Sequence, residues 1–166
     1  MNGTTGEVGG PPPSDVPPDA VQPLLRMTRV LVGVATRAVE QLDVGVSLPQ
    51  FRLLLALSEL GPTPCARVAA ELGSVASSVT RLADHLEDAG YLVRHRARPN
   101  RSIVRLELTA SGQDLVRRVV AWRAAELDRL LAEIPASSRA DMARAVARFC
   151  DVAEPEYGGG SGPIPV

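Results

Sequence analysis

The sequence predicts a mainly α-helical fold that carries a small β-hairpin, and three observations predict it. Hydrophobic residues are 45% of the 166 but aromatics only 3%, a supply of Leu, Val and Ala that suits packed helices better than an aromatic-rich β-sandwich. Long stretches space their apolar residues by three and four, the helical period. One short region, residues 91–109, instead holds two extended runs with Pro99 and Asn100 between them, the pattern of two strands joined by a turn.

The two ends lie outside this fold. Residues 1–18, MNGTTGEVGGPPPSDVPP, are rich in Gly and Pro with almost nothing to bury, and are expected to be disordered. Residues 154–166, EPEYGGGSGPIPV, read the same way, which leaves 19–153 as the folded part. No apolar run approaches the roughly 20 residues of a membrane helix. No basic region followed by an apolar stretch opens the chain, so no export signal is expected. Two cysteines, Cys65 and Cys150, make no disulfide framework, and a reducing cytoplasm is the expected location.

The elements follow in order. A first helix is expected over 19–42, with Asp19 as cap and a narrow stripe of Leu24, Thr28, Leu31, Ala35, Ala38 and Leu42. DVGVS breaks it. SLPQ, residues 47–50, matches a capping box in which Ser47 bonds the amide of Gln50 and the Gln50 side chain reaches back. Pro49 is tolerated in that first turn. The helix FRLLLALSEL ends at Gly61. Thr63 as cap and Pro64 at the first helical position open a short helix to Leu72, closed by Gly73.

A further helix runs to Gly90 with Val79, Leu82, Ala83, Leu86 and Ala89 inward. Ser77, Ser78, Thr80, Arg81, Asp84 and His85 are left outside or at the edge. YLVRH and residues 103–109 are the two strands. Thr109 caps a long helix from Ala110 to about Leu131, with Leu115, Val119, Trp122 and Leu130 as its stripe. A last helix, from about Ser137 to Val152, carries Met142, Val146 and Phe149.

Net charge is −1, which decides nothing, because a nucleic-acid footprint is local. All 18 basic residues are arginine. Residues 91–106 hold Arg94, Arg96, Arg98, Arg101 and Arg105 with His95 and no acid. A short helix, a tight turn and a second helix with a polar head form a helix-turn-helix pattern. Such a second helix enters the major groove head first. Ser and Thr hydroxyls there donate and accept, and an arginine forks onto guanine O6 and N7 or clamps a phosphate.

Ser74, Ala76, Ser77, Ser78, Thr80 and Arg81 are the expected groove residues. Arg96, Arg98, Asn100 and Arg101 belong to a hairpin wing along the backbone or minor groove. A serine at a helix start is, alone, a cap. A basic hairpin is, alone, a solvated surface. Together and in this order they point to duplex DNA.

Three stretches carry a resemblance: PQFRLLLAL (49–57), VAAELGSVASSVTRLADHLEDAGYLVR (68–94) and LELTASG (106–112). They resemble the MarR family of winged helix-turn-helix transcriptional regulators, over about residues 23–152. The resemblance implies a homodimer whose terminal helices intertwine, here 19–45 and 110–153, with the winged helix-turn-helix over 46–109. Leu24, Thr28, Leu31, Trp122, Leu130, Met142, Val146 and Phe149 would supply the interface. Independently, these stripes exceed what one small winged domain buries; the alternative is packing within a monomer. A dimer implies a pseudo-palindromic operator with half-sites about 34 Å apart. The family also implies an effector, a small aromatic or phenolic molecule, which no residue here identifies.

Two departures stand out. The family's turn has an inward Val, a Ser cap and a Pro; here Ser74, Val75 and Ala76 occupy it. Either Ser74 caps a helix that starts one residue early, or the helix start is less well held. At the wing tip, Asn100 and Ser102 stand where the family carries an acid and an arginine. Arg101 is expected to take over the groove contact, with Arg98 as the other candidate; the alternative is a wing that supplies phosphate contacts alone.

Other chemistry finds little support. Cys65 lies near a helix start, where the dipole lowers a thiol pKa and a redox role is conceivable; Cys150 reads as core or interface. His85 and His95 have no partner at ligand spacing, so no metal site or cofactor is expected. Ser78 and His85 lack a third member and an oxyanion site, and no phosphate-binding glycine loop is present, so no enzyme is expected. The sequence reads as a cytoplasmic, homodimeric, sequence-specific regulator binding double-stranded DNA, a repressor relieved by a small ligand. The alternative is a winged-helix protein-interaction module with weak or no DNA binding.

Overall fold

A computed structural model of the chain describes residues 18–43, 45–96 and 104–157. The chain divides into two compact units, one ending at Gly33 and the other beginning at Val34. Helix α1 (Pro18–Gln41) spans that boundary. Asp19 is not its cap but lies inside its first turn, where a carboxylate still favours the helix dipole. On α1, Val21, Leu24, Leu25, Val30, Leu31 and Val32 are exposed, whereas Ala38 and Val39 near its end are buried.

The second unit is built on α2 (Leu48–Leu60). Its start is the expected capping box: Ser47 N–H donates to Gln50 Oε1 at 2.7 Å, and Gln50 N–H to Ser47 Oγ at 3.4 Å. Phe51, Leu53, Leu54, Ala56 and Leu57 of α2 are buried. Around them lie Val68 of α3 (Cys65–Glu71), Val79, Ala83 and Leu86 of α4 (Ala76–Asp88), and Leu115 and Val119 of α5 (Ala110–Ala132). Each buried Val, Leu or Phe contributes on the order of 1.5–3 kcal/mol by leaving water, the alanines less. This core makes the helix-turn-helix a rigid mount.

A three-stranded antiparallel sheet closes one edge, in the order β1–β3–β2: β1 (Thr63–Pro64), β2 (Leu92–Arg96) and β3 (Val104–Leu108). Leu92 faces Leu108 and Arg96 faces Val104 across the hairpin. Leu92 and Leu106 reach the core. Thr63 and Pro64 correct the sequence reading. They pair with Leu106 and Arg105 as β1, and α3 starts after them without a side-chain cap. Thr63 is buried in that pairing, so its hydroxyl is not a helix cap. Pro64 sits on an edge strand, the place in a sheet where a missing N–H does least harm.

Three smaller expectations also change. Ala89 is exposed rather than inward, because α4 ends at Asp88 and the chain turns away at Gly90, whose φ is 76°. Helix α6 (Ala136–Tyr157) continues into the segment read as tail. Cys150, on α6, is exposed, which removes the core alternative and leaves the interface one. Among the described residues no helix is long and apolar enough to cross a membrane.

Candidate nucleic-acid interface

The turn between α3 and α4 is tightly hydrogen-bonded. Leu72 N–H donates to Val68 O at 2.9 Å, Gly73 N–H to Ala70 O at 3.2 Å and Ser74 N–H to Ala69 O at 2.8 Å. Gly73 adopts a φ of 58°, a region open to glycine at no steric cost. The helix does not start early on a Ser74 cap. Val75 is the N-cap, extended at φ −95° and ψ 147°, and no side chain caps α4. Of the two sequence alternatives, the uncapped start is the one found.

Helix α4 then splits by face. Val79, Ala83 and Leu86 point into the core, and Leu82 is half-buried. Ala76, Ser77, Thr80 and Arg81 are exposed, Ser78 is half-buried, and Ser74 is exposed in the turn. The Thr80 hydroxyl donates to the Ala76 carbonyl at 2.9 Å, which spends its proton on the helix and leaves lone pairs outward. No ion pair among the described residues involves Arg81. A free guanidinium at the head of an exposed helix face is able to form two parallel hydrogen bonds to an acceptor pair.

Arg94 behaves in the opposite way. From β2 it reaches back to α4, with Nη2 2.7 Å from Asp84 Oδ1 and Nη1 2.8 Å from Glu87 Oε2. Nη2 also donates to the Thr80 carbonyl at 3.1 Å. Its side chain is 25% exposed. Burial works against its charge, but the bond to Asp84 and the charge of Glu87 outweigh that and hold its pKa above the ordinary arginine value. The contact ties the first strand of the hairpin to the flank of α4 and compensates two acids on that helix. In the sequence Arg94 is only one member of a basic cluster. Acids three apart on α4, followed by an arginine in the next strand, were the available signal.

The hairpin has further ties. His95 Nε2 lies 3.1 Å from Glu107 Oε2 on the neighbouring strand, and Arg105 Nη1 donates to the Pro62 carbonyl at 3.4 Å. Arg96 closes β2. Arg98, Asn100 and Arg101, the expected tip residues, lie outside the described residues, as does Ser102.

The base of the hairpin is joined to α5. Thr109 is the expected cap: its Oγ1 accepts from Gly112 N–H at 3.1 Å and donates to the Gly90 carbonyl at 2.7 Å. Thr109 N–H donates to Tyr91 O at 3.1 Å. A Cβ at position 112 would overlap the Tyr91 carbonyl oxygen and come within 3.3 Å of the Leu108 side chain. The glycine of LTASG is therefore a close-approach residue.

The remaining candidates separate. Leu24, Thr28, Leu31, Met142 and Phe149 are exposed, Val146 and Leu130 half-buried, and Trp122 packs partly against the core. Thr28 Oγ1 donates to the Leu24 carbonyl at 3.0 Å. Cys65 is half-buried, and burial pushes its thiol pKa up despite the charge of Arg94. The expected lowering at a helix start is thus overturned. Desolvation outweighs the Arg94 charge and the backbone hydrogen bond that act to lower it. Among the described residues no group of three or more His, Cys, Asp or Glu is placed to hold a metal ion.

A helix-turn-helix with a β-hairpin beside its second helix defines a winged-helix protein. Residues 44–101 match the model of the MarR family, and the chain carries the fold of that family. It is similar to RV1404 from Mycobacterium tuberculosis, at 29% identity and a TM-score of 0.77 over 90% of this chain and 99% of that one. It is also similar to the MarR family protein Rv2887 of the same organism, whose structure is a complex with DNA, at 27% identity and a TM-score of 0.62 over 81% and 98%. The uncharacterized HTH-type transcriptional regulator YpoP of Bacillus subtilis is 32% identical over 78 residues, 47% of this chain and 55% of its own length. The chain thus spans about half the length of the curated relatives it matches.

Proposed function

We propose that the chain is a sequence-specific regulator of transcription that binds double-stranded DNA, and that it acts as a homodimeric repressor. One observation carries the reading. Ser77, Thr80 and Arg81 are exposed together on the head of a helix whose opposite face is locked in the core. In this reading Ser74, Ala76, Ser77, Ser78, Thr80 and Arg81 meet the major groove. Arg96, Arg98, Asn100 and Arg101 lie along the backbone or minor groove. The DNA complex of Rv2887 and the match to YpoP support it.

Exposed apolar residues on α1 and on α6, such as Leu24, Leu31, Met142 and Phe149, support a dimer, since such surface normally meets a partner. Relief by a small aromatic or phenolic effector, and a cytoplasmic location, rest on the family resemblance alone.

The test is an electrophoretic shift with the DNA immediately upstream of the coding region. The parent protein shifts it at low salt, resists competitor DNA, and weakens with a log–log salt slope of about −7 if the dimer neutralises about eight phosphates. Arg81→Ala, folded and dimeric, loses about 5- to 100-fold in affinity. Parent-like binding by that variant removes Arg81 from the site. Failure of the parent to bind any duplex at low salt overturns the reading in favour of a protein-interaction module.

A further inference from the structure

We infer that Val75 is a specificity-determining residue that packs against the 5-methyl group of a thymine in the major groove. The inference rests on the DNA-binding reading and deepens it. Helix N-caps favour Ser, Thr, Asp and Asn, because a side-chain oxygen satisfies a free N–H. This chain follows the rule with Ser47 at α2 and Thr109 at α5, while short α3 starts at Pro64, whose backbone is held in β1 instead. At α4 it places a valine, and no side chain replaces the missing cap. That valine is also 64% exposed, so it contributes little to the core. Between residues 34 and 130 it is, among the described residues, the one large apolar side chain left exposed. A residue that caps nothing and buries little breaks two local rules at once, and such breaks concentrate where a chain meets its ligand.

The chemistry narrows the ligand. Val75 adjoins the exposed Ala76 and Ser77 at the head of α4. Beyond it along the helix lie the oxygen of Thr80 and the guanidinium of Arg81, which address polar base edges. In the major groove, the apolar group on a base edge is the thymine methyl. One isolated valine matches the size of one methyl contact and is far smaller than the apolar patch a protein partner needs. Hydroxyls and guanidinium would then read oxygen and nitrogen, and the valine would read carbon.

The experiment begins with duplexes that the parent protein selects from a random library. Each thymine of a selected duplex is then replaced by deoxyuridine, which removes the methyl and nothing else. The parent is expected to lose about three- to fivefold in affinity at one thymine of each half-site, the scale of one buried methyl. Val75→Ser restores a cap oxygen, so it folds, and it is expected to bind the thymine and deoxyuridine duplexes equally at that position. A Val75→Ser protein that melts higher but keeps the parent's discrimination overturns the inference, as does a parent with no deoxyuridine-sensitive position. Selection that enriches no duplex is a different failure, since it removes the DNA-binding reading itself.

Discussion

At the start of α5, Thr109 accepts from the Gly112 amide at 3.1 Å and donates to the Gly90 carbonyl at 2.7 Å; at the start of α4, Val75 makes no side-chain cap bond. Two helices of one domain thus begin with opposite chemistry. The first is pinned at its head, because α5 must hold its place against the hairpin base. The second is held by its buried face and by Arg94, which grips Asp84 and Glu87 along its flank. Anchoring along the rear leaves the head of α4 uncommitted, which is what a helix needs if its first turn is to meet a ligand.

The largest expected effect sharpens the pinned end. Gly112→Ala sets a methyl into the Tyr91 carbonyl, a backbone atom that also accepts from the Thr109 N–H. It is expected to cost about 3 kcal/mol in urea unfolding, the upper range for overpacking; an unchanged midpoint would break the account of α5. Next comes the rear grip of α4. Arg94→Met leaves Asp84 and Glu87 without their partner and is expected to cost about 1–2 kcal/mol. Because two carboxylates lose one guanidinium, the loss is expected to shrink in a D84N/E87Q background. Equal losses in both backgrounds would deny the coupling.

The smallest effects test the contrast itself, since they carry opposite signs. Thr109→Ala is expected to lose about 1 kcal/mol of stability. Val75→Ser is expected to gain about 0.5 kcal/mol or more by restoring a cap. Thermal melts of the two single variants decide it. Two changes of the same sign would show that the helix starts do not differ as described.

How much of this was readable beforehand varies with the range of the interaction. The Ser47–Gln50 box, the Thr109 cap and the Gly73 turn were all legible, since each is decided within about four residues. Thr63 was misread because a threonine before a proline looks like a helix start, while its actual partner, Leu106, lies far along the chain. Cys65 was misread for a related reason: a helix start is visible in sequence, but the burial that governs the thiol is not. Val75 stands out in the sequence as a displaced residue in the turn, yet its exposure depends on how α3 and α4 pack. The wing-tip residues Arg98, Asn100 and Arg101 lie outside the described residues.

Local chemistry alone settled where α2 and α5 begin, where the chain turns at Gly73, and which residues form the polar head of α4. Caps, turns and helical periodicity involve neighbours a few positions apart, so short stretches of residues suffice to specify them. Only the packed chain decided that Arg94 would grip α4 and that Gly112 must lack a side chain. It also decided that Val79 would be buried while Val75 stays in water. Ion pairs, close approaches and burial belong to pairs of surfaces, and which surfaces meet is a property of the whole fold.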